Sequence, residues 1–173
     1  MPMMTPALRK GVLTAHVVSS VGWVGAVAGF LALAVAELTH ADADVPRGAY
    51  LSMDLMAEYV ILPLAVGSFA TGILCSLGTG WGLVRYYWVL VKLLMSLLCT
   101  VVFLMHLQLI KLLATLAVQH QPFADAASAQ HLMVIASIAA LAALLVITAL
   151  SVYKPRGMTP YGARRQHLDQ VPT

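Results

Sequence analysis

His16, Trp23, Phe30 and Glu37 follow one another at intervals of seven, with Ser20, Val27 and Ala34 interleaved. That spacing keeps all of them on one seam of an α-helix. An imidazole on such a seam can ligate a metal or a haem iron, relay a proton, or hydrogen-bond to a neighbouring helix. Lys92, Cys99 and His106 repeat the interval further along, and Met95 and Val102 fall on the same face. An amine held among apolar side chains can act as a ligand in its neutral form or pair with a carboxylate, because burial disfavours its charge. The plainer readings are an interhelical hydrogen bond for His16 and, for Lys92, a long side chain snorkelling to the membrane interface. A second group comprises Glu37, Asp54, Glu58, His106 and His131, with His40 and His120 in the flanking loops. Asp54 and Glu58 are four apart and share a helical face. Carboxylates and imidazoles at one level suit a transition metal or a proton relay, and the alternative is a set of hydrated interfacial groups. The candidate metal ligands are therefore His16, His106, Glu58 and His131.

Long apolar helices must position these groups. Hydrophobic residues make up 61% of the 173 and charged residues 10%, with a mean hydropathy of +0.88. A soluble domain carries about 25% charged residues, so water cannot be the solvent for most of this surface. Four apolar runs predict helices over about 8–39, 52–78, 85–118 and 128–153, followed by a basic carboxyl tail over 154–173. Each is long enough for a hydrocarbon core of about 30 Å. None alternates with period two, which excludes a barrel, and Pro63 should kink the second. The expected fold is all-α, a single integral-membrane four-helix bundle over residues 1–173.

Arg9, Lys10 and Ala34-Val35-Ala36 have the flavour of a signal peptide, but the apolar stretch between them exceeds the roughly 7–15 residues of one. It reads as a retained helix. Basic residues concentrate on one side, at Arg9, Lys10, Arg85, Lys154, Arg156, Arg164 and Arg165, whereas Asp42, Asp44 and Asp125 face the other. The positive-inside rule then puts both termini in the cytoplasm. The basic residues lie at segment ends rather than in one stripe, which argues against nucleic acid as a partner. Cys75 and Cys99 sit in apolar runs at depths differing by roughly 10 Å, too far for a disulfide. By the same arithmetic His16 and Lys92 both lie roughly 6–8 Å deep, whereas His106 is about 21 Å beyond Lys92. Ser68, Gly72 and Ser76 form a small-xxx-small ridge suited to close helix packing. No CxxC, phosphate loop, Gly-x-Ser-x-Gly or intramembrane HExxH occurs.

The run His16-Val-Val-Ser-Ser-Val-Gly-Trp23-Val-Gly25 resembles the first helix of a superfamily of small bacterial membrane proteins. That superfamily includes the haem-containing protoporphyrinogen oxidases of the HemJ type and the CopD copper-resistance membrane domain. Trp88-Val-Leu-Val-Lys92-Leu-Leu resembles the HemJ pattern of tryptophan, three residues, lysine and an apolar run. After Gly25 the HemJ-type proline and arginine are replaced by Ala28-Gly29-Phe30-Leu31, and the overall likeness is to uncharacterised members of the superfamily. The resemblance implies that His16 and Lys92 hold haem-binding positions in a bacterial inner-membrane protein.

Three readings follow. In the first, haem b is bound in a redox or haem-handling role, with His16 as axial ligand and Lys92 as second ligand or propionate partner. Trp23, Phe30, Met95 and Cys99 would line its pocket, and the protein could be an oxidoreductase. In the second, a copper-like metal ion is handled or transported at the outer Glu/His group. In the third, the chain is a non-catalytic accessory subunit. The lipid bilayer is the expected partner in all three, together with a homo-oligomer or a larger membrane complex.

Overall fold

The computed structural model describes residues 4–40, 44–78, 82–119, 127–155 and 157–164. The first span is one helix, α1 (Pro6–Thr39). Pro6 suits its first turn, where its missing N–H would have no intrahelical partner, and the Thr5 hydroxyl accepts from the Leu8 amide at 3.4 Å. Trp23, Val27, Phe30, Ala34 and Glu37 are its buried residues, so the seven-residue seam is the face turned into the bundle.

The second span has three parts: α2 (Asp44–Met56), a π-helical turn (Ala57–Ile61) and α3 (Leu62–Leu77). It begins at Asp44, well ahead of the expected residue 52. Apolar patterning could not show this first stretch, which starts with an acidic residue at the helix N-terminus, has Pro46 in the first turn and pairs Asp44 with Arg47 at 3.5 Å. Pro63 lies at the start of α3, and the irregularity it imposes takes the form of the π turn just before it. A proline ring collides with the carbonyl four residues back, and wider winding there makes room for it.

The remaining helices are α4 (Tyr87–Val118) and α5 (Ala127–Tyr153). After α5, Lys154 adopts φ 43° and Pro155 follows. The left-handed cap position is normally glycine's, and a residue with a Cβ pays about 1–2 kcal/mol there.

All four spans, Pro6–Thr39, Asp44–Leu77, Tyr87–Val118 and Ser128–Tyr153, are long and apolar enough to cross a membrane. No more than 22% of any of their apolar windows is buried inside the protein. Large apolar side chains such as Val18, Val21, Leu98 and Met105 point outward, as a lipid solvent requires and water forbids. Residues described here are helical apart from turns and a single isolated bridge, so the all-α bundle expected from the sequence is what the chain forms.

Helix α1 packs against the second span and α5, and α4 packs against the same two neighbours, which leaves α1 and α4 diagonal across the bundle. The core combines Trp23, Val27 and Phe30 with Tyr50, Met53, Ile110, Leu113, Met133 and Leu144.

One feature of the fold has no hydropathy signal. The segment after α5 returns to the loop between α3 and α4. Tyr86 bridges Met158, the Thr159 amide donates to the Arg85 carbonyl at 3.0 Å, and the Thr159 hydroxyl donates to the Val84 carbonyl at 2.6 Å. Thr159 is buried by this strap.

Candidate functional site

His16 faces α3. Its Nδ1 lies 3.1 Å from the Ser68 carbonyl and 3.2 Å from the Thr71 hydroxyl. A carbonyl only accepts, so Nδ1 is the donor and the neutral ring carries its lone pair on Nε2. The Thr71 hydroxyl donates to the Gly67 carbonyl at 2.6 Å, which fixes it as a second acceptor beside the ring. One turn above, Ser20 and Ser68 exchange a hydrogen bond of 2.8 Å between their hydroxyls. The close approach of the two helices relies on Gly72, where a Cβ would stand 3.2 Å from His16 Cε1. The small-xxx-small ridge thus seats the imidazole as well as packing the helices. An imidazole with one nitrogen committed to a backbone carbonyl and the other available is the arrangement that orients metal-ligating histidines.

His16 and Lys92 line one cavity of about 400 Å³. It falls within the roughly 300–1,000 Å³ typical of small-molecule and cofactor sites. Its apolar wall includes Val12, Leu13, Val17, Phe69, Val89 and Leu93. The Lys92 ammonium stands 5.6 Å from the centre of the Trp88 ring, a cation–π distance, and its residue is partly buried. The ammonium thus reaches back one turn toward the start of α4, a posture open to both a snorkelling lysine and one that borders a site. The two helices that carry the pair are diagonal across the bundle, so the residues border the cavity from opposite corners.

Trp23 and Cys99, expected beside this pair, do not line the cavity. Each is seven residues beyond its partner, about 10 Å deeper along its helix. Trp23 is instead core. Cys99 lines a separate cavity of about 250 Å³ that Ala136, Ala139, Ala140 and Ala143 of α5 open by their small size. His106 borders that second cavity, with its Nδ1 donating to the Val102 carbonyl of its own helix at 2.8 Å.

The cavity of His16 and Lys92 also has two basic residues that the sequence offered only as markers of topology, Arg9 and Lys154. Arg9 lies seven residues before His16, so extending the seam one step backward would have found it. Lys154 follows the end of its helix, where no periodicity reaches.

The opposite end of the bundle does not assemble the expected metal set. Glu58 pairs with Lys111 at 3.3 Å, an opposite charge offered by α4. His106 satisfies its own helix, and His131 lies exposed near the start of α5. Among the described residues no three His, Cys, Asp or Glu side chains come close enough to hold one metal ion. Glu37 is 3% exposed rather than hydrated, with Tyr50 beside its carboxyl group. His120 lies outside the described residues. No family model, curated protein or solved structure matches this chain.

Proposed function

We propose that the protein binds a b-type haem in the cavity between α1 and α4, in a redox or haem-handling role within a bacterial cytoplasmic membrane. The observation that carries this reading is the convergence of His16 and Lys92, from diagonal helices, on one cofactor-sized cavity. The donor set suits the group. His16 offers Nε2 while Nδ1 is held by the Ser68 carbonyl, Lys92 offers an amine, and the apolar wall suits a macrocycle. A haem bound there would supply one-electron chemistry at its iron. The chain's own part is to hold the imidazole in one tautomer and to shield the ring from water. The resemblance of the His16–Gly25 and Trp88–Leu94 runs to HemJ-type proteins points the same way. Protein purified from haem-replete membranes should show a Soret band and a pyridine haemochrome spectrum of b type. Clean, folded protein with neither would sink this reading.

The same reading places both termini in the cytoplasm, supported by the excess of Lys and Arg on the end of the bundle that carries them. A reporter that works only in the cytoplasm should be active when fused after Thr173 and silent when inserted beside Asp44. The inverse pattern would reverse the orientation.

A further inference from the structure

The second cavity, of about 250 Å³, is walled by α1, the π turn, α4 and α5. Two phenyl rings line it, Phe30 of α1 and Phe103 of α4. Leu98 of α4, 62% exposed, and the exposed Ala139 of α5 line it as well. Exposed residues of a crossing helix meet lipid, so the cavity opens to the bilayer between α4 and α5. Its volume falls below the roughly 300–1,000 Å³ that encloses a drug-sized ligand. It can take one ring, with the rest of a larger molecule left in the lipid.

The polar groups on its wall are of one kind. His106 donates its Nδ1 proton to the Val102 carbonyl at 2.8 Å, so the neutral ring carries its lone pair on Nε2. The Ser137 hydroxyl donates to the Met133 carbonyl at 2.6 Å, which leaves its oxygen as an acceptor. The other heteroatoms among the lining side chains are the sulfurs of Cys99 and Met133, which bond only weakly. Both strong protons are thus spent on the helices' own backbone, and the wall offers acceptors. His106 also lies roughly 5 Å from the midpoint of the 32-residue α4, deep in the hydrocarbon. An acceptor without a donor is costly there, and among the described residues no side chain donates to Nε2. A histidine at such a depth marks a site, and its missing partner is a donor.

We infer that this cavity binds a hydroquinone-type lipid. Its aromatic ring would sit against Phe30 and Phe103, a ring hydroxyl would donate to His106 Nε2, and an apolar tail would leave between α4 and α5. The oxidised quinone has only carbonyl oxygens and would bring an acceptor to an acceptor. The site therefore distinguishes the two redox states of its ligand. It shares no residue with the cavity of His16 and Lys92, and it stands whether or not that cavity holds haem.

The test is native mass spectrometry of the full-length protein, titrated without oxygen with decylhydroquinone, decylbenzoquinone and plain decane. The first two share ring and tail and differ in the hydroxyl protons. The hydroquinone should bind roughly tenfold more tightly than the quinone, which corresponds to about 1.4 kcal/mol. His106→Leu should lower the hydroquinone to the affinity of the quinone and leave the quinone where it was. Ala140→Phe, whose new ring fills the cavity, should abolish binding of both while the helical circular dichroism is retained. Equal affinities in the native protein, or a preference that survives His106→Leu, would overturn the inference. Decane bound as tightly as the hydroquinone would make the cavity an acyl-chain groove and overturn it as well.

Discussion

His16→Ala should abolish the Soret absorbance of the purified protein while leaving it folded in the membrane. On the proposed haem reading, His16 would supply the imidazole ligand that an alanine cannot replace. The imidazole of His106, on α4, borders the other cavity. Structural loss should be modest. The variant gives up hydrogen bonds from Nδ1 to the Ser68 carbonyl and the Thr71 hydroxyl, worth about 0.5–1.5 kcal/mol each, and both of those acceptors also receive or make bonds within α3. Lys92→Met separates the two roles open to the amine. It keeps the length and apolar stem, so a shifted or weakened Soret band would assign the amine to the ligand. A silent spectrum, with Lys92→Arg equally silent, would assign Lys92 to the interface. A Soret band that survives His16→Ala unchanged would remove the haem from this cavity and favour the accessory-subunit reading.

Gly162→Ala should release the carboxyl-terminal strap. A Cβ at that position would meet the Arg85 backbone carbonyl, with Arg85 Cγ at 2.9 Å as the next obstacle. A backbone oxygen held by two bonds from Thr159 cannot swing aside as the tip of a side chain would. Overpacking of this kind costs about 1–3 kcal/mol, which is comparable with the net worth of two of the strap's hydrogen bonds at about 0.5–1.5 kcal/mol each. Hydrogen exchange at the Thr159 and Tyr87 amides, which donate to Arg85 and Gly157, should accelerate roughly tenfold to a hundredfold, at a factor of ten per 1.4 kcal/mol. Exchange in the centre of α1 should not change, because the strap's hydrogen bonds described above go to the loop and the start of α4. Ala163→Ser, one position on and exposed, should leave both amides protected. Unaltered exchange in Gly162→Ala would mean that the strap does not depend on this close approach.

The spans were legible in the sequence because lipid imposes one rule on every residue of a crossing, namely that apolar length must match the bilayer. The seam of α1 was legible for a related reason: His16, Trp23, Phe30 and Glu37 recur at an interval that only a helix can bring to one face. The pairing of His16 with Lys92 followed from equal depth. The environment of Cys99 did not, since depth says how far along a helix a residue sits and not which neighbour it meets. Among the described residues the Glu/His group is not brought together, for a similar reason. Glu58 pairs with Lys111 of α4, whereas His106, five residues earlier on that helix, bonds to the carbonyl of Val102. The strap was invisible for a different reason. It is held by the backbone carbonyls of Val84 and Arg85, which every residue possesses and no composition reveals.

The π turn at Ala57–Ile61 has a consequence for the far end of its own span. Met53, Ala57, Ile61 and Ala65 are all buried, at steps of four residues. On an unbroken α-helix each such step overshoots a full revolution by about 40°, so three of them would carry the stripe about 120° around the cylinder. The slower winding of the π turn absorbs most of that drift, and the upper and lower halves of the span stay in phase with the same neighbours. Ser68 and Gly72, roughly 10–16 Å further along, inherit their azimuth from that correction. Removal of one lipid-facing residue from the turn, such as Val60, would rotate α3 by about 100° relative to α2 and aim the Ser68 carbonyl away from the His16 ring. The tautomer of the His16 imidazole is thus fixed by a residue count made about two to three turns away, in the middle of the neighbouring span.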